Sequence, residues 1–256
     1  MREARHPENL ATSLRDANLL HGVVARTGPP SLWLIDLRQD ETLVERAARL
    51  LTAGERRRAD RGAPAVRRQQ ILSRAALRIV LARSLGCPPA ALRFVTDASG
   101  KPRLAGGAPH FSVSHSGDWG LIAVTPLGPV GVDIERCVPI SELEAIAERS
   151  FAPAAARALL SQRGERRVQA FYREWTRMEA ELKASGVGLA GGLARGPAAP
   201  ARGAWTFAAI DAGHGLVGAV VVAGAHSWRD ATLPVRELDL RAELAGLAVT
   251  PPRQAP

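Results

Sequence analysis

The chain has 256 residues, 46% of them hydrophobic, which suffices for one large domain or two lobes with packed cores. A formal net charge of +9 points to an acidic partner: nucleic acid, an anionic surface, a phosphorylated ligand or an acidic protein. Two cysteines without histidines at ligand spacing exclude a disulfide framework or structural zinc site, and the longest apolar run, Leu216 to Ala225, is too short to span a bilayer, so a cytoplasmic location is expected.

Residues 1 to 30 have no sustained period and read as a poorly ordered lead-in. Ser31 to Leu37 alternates as a first strand, and Glu41 to Leu51 has helical spacing. Thr52 with Glu55 predicts a capping box, opening a helix that carries Arg56, Arg57, Arg58 and Arg61. Ala65 to Leu85 reads as a long core helix closed by Gly86. Leu92 to Thr96 is expected as a strand and Lys101 to Leu104 as an extended piece. His110 to Ser114, Gly120 to Thr125 and Val130 to Glu135 then read as a three-stranded meander.

Ser141 with Glu144 predicts a second capping box, and Pro153 opens another helix as far as Gln162. Glu165 to Ser185 reads as a helix whose stripe of Phe171, Trp175, Met178 and Leu182 is expected in the core. Gly188 to Arg202 reads as a loop, followed by a hairpin of Trp205 to Ile210 and Leu216 to Ala223 and a strand near Val235 to Leu240, before a frayed end at Pro251 to Pro256. Gln69 with Gln169, Arg83 with Lys183, and Gly86 with Gly186 recur at an offset of one hundred residues. Two equivalent lobes in an α+β fold, each a small antiparallel sheet on a long helix, would account for this, with a site at their junction. The expected divisions are a lead-in over 1–30, an N-terminal lobe over 31–127, a C-terminal lobe over 128–228 and an extension over 229–256.

Strand geometry makes Val130 to Glu135 the chemical centre. Val130, Val132 and Ile134 fall on one face, and Gly131, Asp133 and Glu135 on the other, the two carboxylates roughly 7 Å apart at their backbones. Such a pair suits a magnesium ion, which is completed by water and by substrate phosphate oxygens. On the later helix Glu179 and Lys183 stand at i and i+4, flanking the apolar stripe. Of 34 basic residues only Lys101 and Lys183 are lysine, so a compact ammonium is wanted at these two positions. Ser114-His115-Ser116 at a strand end offers hydroxyls and an imidazole to a phosphate. Adjacent strand residues point to opposite faces, so Ser114 and His115 do not form a nucleophile and base.

Gly100-Lys101-Pro102, Phe111 to Ser116, Val130 to Glu135, and Trp175 to Lys183, in this order and spacing, resemble the surfactin-synthetase type of phosphopantetheinyl transferase. The resemblance runs from about Thr52 to the Trp205 hairpin. It implies a pseudo-dimer of two α+β lobes that binds coenzyme A and Mg2+ at the junction and modifies a serine of an acyl or peptidyl carrier protein. By position, Asp133, Glu135 and Glu179 match the metal ligands, with Glu179 also activating the carrier serine, and Lys183 neutralises the pyrophosphate. Lys101, Ser114, His115, Arg56 and Arg74 match phosphate-contacting positions. One departure is Met178, where the family usually has Lys before the metal-binding Glu. The basic surface suits an acidic carrier, and a monomer without membrane or nucleic-acid partners is expected. The rival readings are an Arg-rich nucleic-acid-binding protein, disfavoured by 4% aromatic residues, and a serine hydrolase, disfavoured by the absence of a nucleophile elbow.

Overall fold

A computed structural model describes residues 28–97, 100–186 and 205–247. Most of the expected lead-in, the Gly188 to Arg202 loop and the Pro251 to Pro256 end lie outside the described residues. The fold is α+β, layered helix, sheet, sheet, helix.

The first sheet has the order β10-β1-β5-β4, with β1 (Ser31–Asp36), β4 (His110–Ser116), β5 (Trp119–Thr125) and β10 (Arg236–Glu237). The second has the order β6-β8-β7-β9, with β6 (Val130–Arg136), β7 (Trp205–Asp211), β8 (Leu216–Ala223) and β9 (Thr232–Pro234). Three strands of each are antiparallel, but β10 joins β1 and β9 joins β7 in parallel, so the sheets are mixed rather than antiparallel. A short separate hairpin is formed by β2 (Phe94–Thr96) and β3 (Pro102–Leu104).

Against the outer face of the first sheet lies α3 (Pro64–Leu85). Its Ile71, Leu72, Ala75 and Ile79 share a core with Ile35, Ile122 and Val124. Between the sheets, Leu32, Leu34, Leu121 and Ala123 meet Val132, Ile134, Val220 and Val222. On the far face of the second sheet, α6 (Gly164–Ser185) sets Ala180 and Ala184 on Ala219 and Val221. Covered on both sides, every residue of β5 is buried. Both long helices have 22 residues and end on a left-handed glycine, Gly86 at φ 63° and Gly186 at φ 74°. The one-hundred-residue recurrence thus falls on corresponding stations of the two helices.

The expected meander is corrected: β4 and β5 pair, but β6 pairs with β8 along its length. It cannot also extend the first sheet, because its apolar face is needed in the core between the sheets. The edges of β4 and β6 nevertheless run side by side, joined by alternate serines in place of a backbone ladder. Ser112 Oγ accepts from Val132 N at 3.1 Å, Ser116 Oγ accepts from Arg136 N at 3.1 Å, and Ser114 Oγ donates to Asp133 Oδ1 at 2.7 Å. These bonds satisfy edge groups that would otherwise be open to pairing with another chain.

Among the smaller helices, α1 (Glu41–Ala48) is capped by Asp40, whose carboxylate accepts from Leu43 N at 2.8 Å. The Thr52–Glu55 capping box opens α2 (Ala53–Ala59) as expected. Ser141 caps nothing: α4 (Leu143–Ser150) starts after Glu142 without a side-chain cap. The helix α5 (Pro153–Leu160) starts at its proline. The stripe expected in the core is only partly so. Phe171 is buried, but Trp175, Met178 and Leu182 are half-buried, because the face turned to the sheet is that of Tyr172, Thr176, Glu179, Ala180 and Ala184. Beyond β9 the chain returns to the first sheet as β10, and α7 (Leu240–Leu247), unforeseen in sequence, buries Leu240 and Leu244 in the first core.

Candidate active site at the junction of the two sheets

The site exists because Gly131 lets α6 touch β6. A Cβ there would lie 1.8 Å from Ala180 O and 2.5 Å from Ala184 N, so only hydrogen fits between strand and helix. The face of β6 that carries Gly131, Asp133 and Glu135 is therefore roofed by the turns of α6 that carry Glu179, Ala180, Lys183 and Ala184. Asp133 is 3% exposed and Glu179 7% exposed.

Polar contacts fix each group. Lys183 Nζ donates to Asp133 Oδ1 at 2.6 Å and to Ser114 Oγ at 2.9 Å, and Ser114 donates to the same carboxylate oxygen. Glu135 Oε2 accepts from Ser116 Oγ at 2.6 Å. Asp133 Oδ2 is buried with no hydrogen-bond partner. Burial, reinforced by the charge of Asp133, pushes the Glu179 carboxyl up to about 7. Burial also raises Glu135, against the bond from Ser116. Three neighbouring carboxylates, two of them raised by burial and by the charge of Asp133, with one buried oxygen left over, form a donor set suited to a hard, oxygen-seeking divalent cation. Among the described residues no three His, Cys, Asp or Glu side chains are already gathered to hold an ion. The compensating charge at Asp133 is the Lys183 ammonium.

Beside the carboxylates, α2, α3 and β4 enclose a cleft of about 260 Å³ lined by Glu55, Arg58, Gln70, Ser73, Arg74 and His115. Arg74 stands 3.5 Å from Glu55 and over the Phe94 ring at 4.9 Å, with its Nη1 buried and without a partner, as is Ser73 Oγ. His115 is exposed and turned into this cleft, while its neighbour Ser114 points the other way to Asp133. No Ser–His pair forms, as the alternation required.

Of the residues singled out in sequence, Asp133, Glu135, Glu179, Lys183 and Ser114 come together, and Arg74 and His115 line the adjoining cleft. Two stand elsewhere. Arg56 donates to Leu51 O at 2.7 Å, closing the end of α1. Lys101 is half-buried, its ammonium given to the Val130 and Lys183 carbonyls. Arg58, Gln70 and Ser73 were missed, although Arg58 lies three residues after Glu55 and so shares its face of α2. Arg78 was also missed: 1% exposed, it holds Glu55 at 2.8 Å and Pro89 O at 2.8 Å, so the capping residue of α2 is also the partner of a buried guanidinium.

Comparison with known proteins adds to this geometry. Residues 129–209, from before β6 into β7, match the model of the 4'-phosphopantetheinyl transferase superfamily. The slr0495 protein of Synechocystis sp., assigned to the same transferase class, is 40% identical over 168 residues, 64% of this chain and 68% of that one. The 4'-phosphopantetheinyl transferase HetI of Nostoc sp. is 35% identical over 206 residues, 75% of this chain and 87% of its own. The 4'-phosphopantetheinyl transferase Sfp of Bacillus subtilis is 36% identical over 114 residues, 44% of this chain and 50% of its own.

Proposed function

The chain belongs to the 4'-phosphopantetheinyl transferase superfamily, and from that premise we propose that it transfers the 4'-phosphopantetheine group of coenzyme A to a serine of an apo acyl or peptidyl carrier protein, with Mg2+ as cofactor. The observation that carries this reading is the convergence of Asp133 and Glu135 with Glu179 and Lys183 across Gly131, one buried carboxylate oxygen still unpartnered. Asp133, Glu135 and Glu179 would hold the cation, which when bound supplies positive charge to a pyrophosphate.

The residues themselves suit the reaction. The serine oxygen attacks the phosphorus that bears pantetheine, a new P–O bond forms, the pyrophosphate bond breaks, and adenosine 3',5'-bisphosphate leaves. By its matched position Glu179 would accept the serine proton; in the metal-free protein burial pushes its carboxyl up to about 7. Lys183, at the mouth of the site with 30% of its side chain exposed, supplies a compact positive charge to the leaving phosphate. Arg74, His115 and Arg58 in the adjoining cleft suit the remaining phosphate and the nucleotide. Arg56 and Lys101, bonded to carbonyls in the free protein, are less suited to a phosphate than their matched positions suggest. In this reading the catalytic junction lies between a lobe over 31–127 and a lobe over 128–228. The net charge of +9 favours an acidic carrier. No helix among the described residues is long and apolar enough to cross a membrane; a cytoplasmic monomer is part of the proposed reading.

The test is incubation with coenzyme A, Mg2+ and several apo carrier proteins, read by intact mass. Gain of one phosphopantetheine per carrier, abolished by chelator, is expected. Absence of any gain while a reference transferase modifies the same carriers would overturn the proposal.

A further inference from the structure

We infer that Lys101 is a positioning residue, whose ammonium clamps the last turn of α6 to the first residue of β6 and so sets where Glu179 and Lys183 stand over Asp133 and Glu135. Its Nζ donates to Val130 O at 2.7 Å and to the carbonyl of Lys183 itself. One bond holds the strand three residues before Asp133, and the other holds the backbone of the residue whose side chain grips Asp133. The base of the lysine is fixed as well: Asp97 Oδ1 accepts from Lys101 N at 2.9 Å and Asp97 N donates to Lys101 O at 3.0 Å, closing the turn between β2 and β3.

The end of α3 offers the comparison. There the corresponding carbonyl, Arg83 O, accepts the amide of Gly86 at 3.4 Å, an ordinary helix ending. At Lys183 O a charged donor arrives from 82 residues away in sequence. A cation at a helix C-terminus also complements the partial negative charge of the last carbonyls. Phosphate contact is the competing role, and space opposes it. The cavity beside Lys101, between Arg103, His110, Pro129 and Val130, is about 30 Å³, room for a few waters but narrow for a phosphate group. Burial pushes the ammonium down to about 8, with the charges of Arg103 and Lys183 adding to this against the pull of Asp97.

The inference rests on the proposed transfer reaction only for the name of the chemistry positioned; the clamp itself is tested without substrate. In Lys101→Met, amide hydrogen exchange across residues 181–186 of the ligand-free protein should quicken at least tenfold, while the matching turn at 81–86 is unchanged. In steady state kcat should fall with the KM for coenzyme A unaltered. Unchanged exchange in a folded variant, or a raised KM at unaltered kcat, would overturn the inference, the second outcome making Lys101 a ligand contact. Lys101→Arg keeps the charge but its fork exceeds the space, so faster exchange and lower kcat are again expected. Wild-type exchange and kcat in Lys101→Arg would refute the clamp even if Lys101→Met could not be purified. If the wild-type protein modified no carrier, the proposed reaction would fail, while the exchange comparison would still decide the clamp.

Discussion

Replacing Gly131 by alanine adds one methyl group at the point on which the site depends. Its Cβ would stand 1.8 Å from Ala180 O, against an ordinary contact of 3.4 Å or more, so strand and helix must part by about 1.6 Å (3.4 minus 1.8). Neither partner is a side chain that can rotate away. Overpacking of this kind costs about 3 kcal/mol, a fall in melting temperature of roughly 6–12 °C for a chain this size. The kinetic consequence is larger than the thermal one. Glu179 and Lys183 move with the helix, Asp133 and Glu135 stay with the strand, and a misplacement of about 1 Å costs on the order of 100-fold. Thermal melts and the initial rate of carrier modification by intact mass would be compared with Gly54→Ala. A Cβ on Gly54 meets nothing nearer than Thr52 Oγ1 at 4.0 Å, so that variant should be neutral or slightly stabilising. A Gly131→Ala protein that melts within about 2 °C of wild type and keeps its rate would refute the dependence of the site on this close approach.

Lys183→Arg keeps the charge but not the point donor between Asp133 and Ser114; the transfer rate should fall about tenfold or more, near 1.4 kcal/mol of barrier, and a rate within about twofold would leave Lys183 a structural partner of Asp133. Ser116→Ala removes the bond to Glu135 and the acceptor for Arg136 N, so a loss of about 1–2 kcal/mol is expected in urea melts, with the Mg2+ needed for half-maximal rate rising about 10-fold; an unaltered Mg2+ requirement would mean that Glu135 holds its position without Ser116. The raised Glu179 carboxyl makes stability pH-dependent: the folded protein keeps this proton up to about 7, the unfolded chain loses it near 4.5, so this contribution is full below pH 4.5 and is lost as pH rises through 7. Glu179→Gln should flatten the decline in metal-free melts between those pH values, and an unchanged slope would locate its origin elsewhere.

The parts of this molecule legible in sequence are those whose cause lies along one element. Period 3.6 over Ala65–Leu85 and Glu165–Ser185, the Thr52 box and the alternation in Val130–Glu135 each depend on neighbours a few residues away, and the structure forms each of these elements, although the stripe on the second long helix is only partly buried. Asp133, Glu135, Glu179 and Lys183 were readable for the same reason: two periodicities, one of the strand and one of the helix, each place two charged groups on a common face. What failed was the choice of partner. Whether β6 extends the first sheet or opens a second is settled by which cores its apolar face completes, and Val132 and Ile134 fit residues from β1, β5 and β8 that lie up to one hundred residues distant. The burial of Asp133 followed from that choice, since a carboxylate on a strand face is solvated until a helix is laid over it. The signal for that helix was present in Gly131, a bare position between two carboxylates, but a glycine in a strand can equally mark a bulge.

The two lysines show where a residue's rarity informs and where it misleads. In a chain that otherwise uses arginine, a retained lysine signals a place where a compact ammonium is wanted, and both ammonium groups make short, specific contacts. Rarity says nothing of what the ammonium meets. At Lys183 it meets a carboxylate and a hydroxyl at the mouth of the site; at Lys101 it meets two carbonyls, one of them belonging to Lys183. Burial separates the cases: the Lys101 ammonium, enclosed between neutral carbonyls, is pushed down to about 8, whereas the Lys183 ammonium is half-exposed and lies against the Asp133 carboxylate. The first arrangement suits a fixed strut and the second a charge that can be shared with an arriving phosphate, so one family motif residue supports the site from behind while the other stands in it.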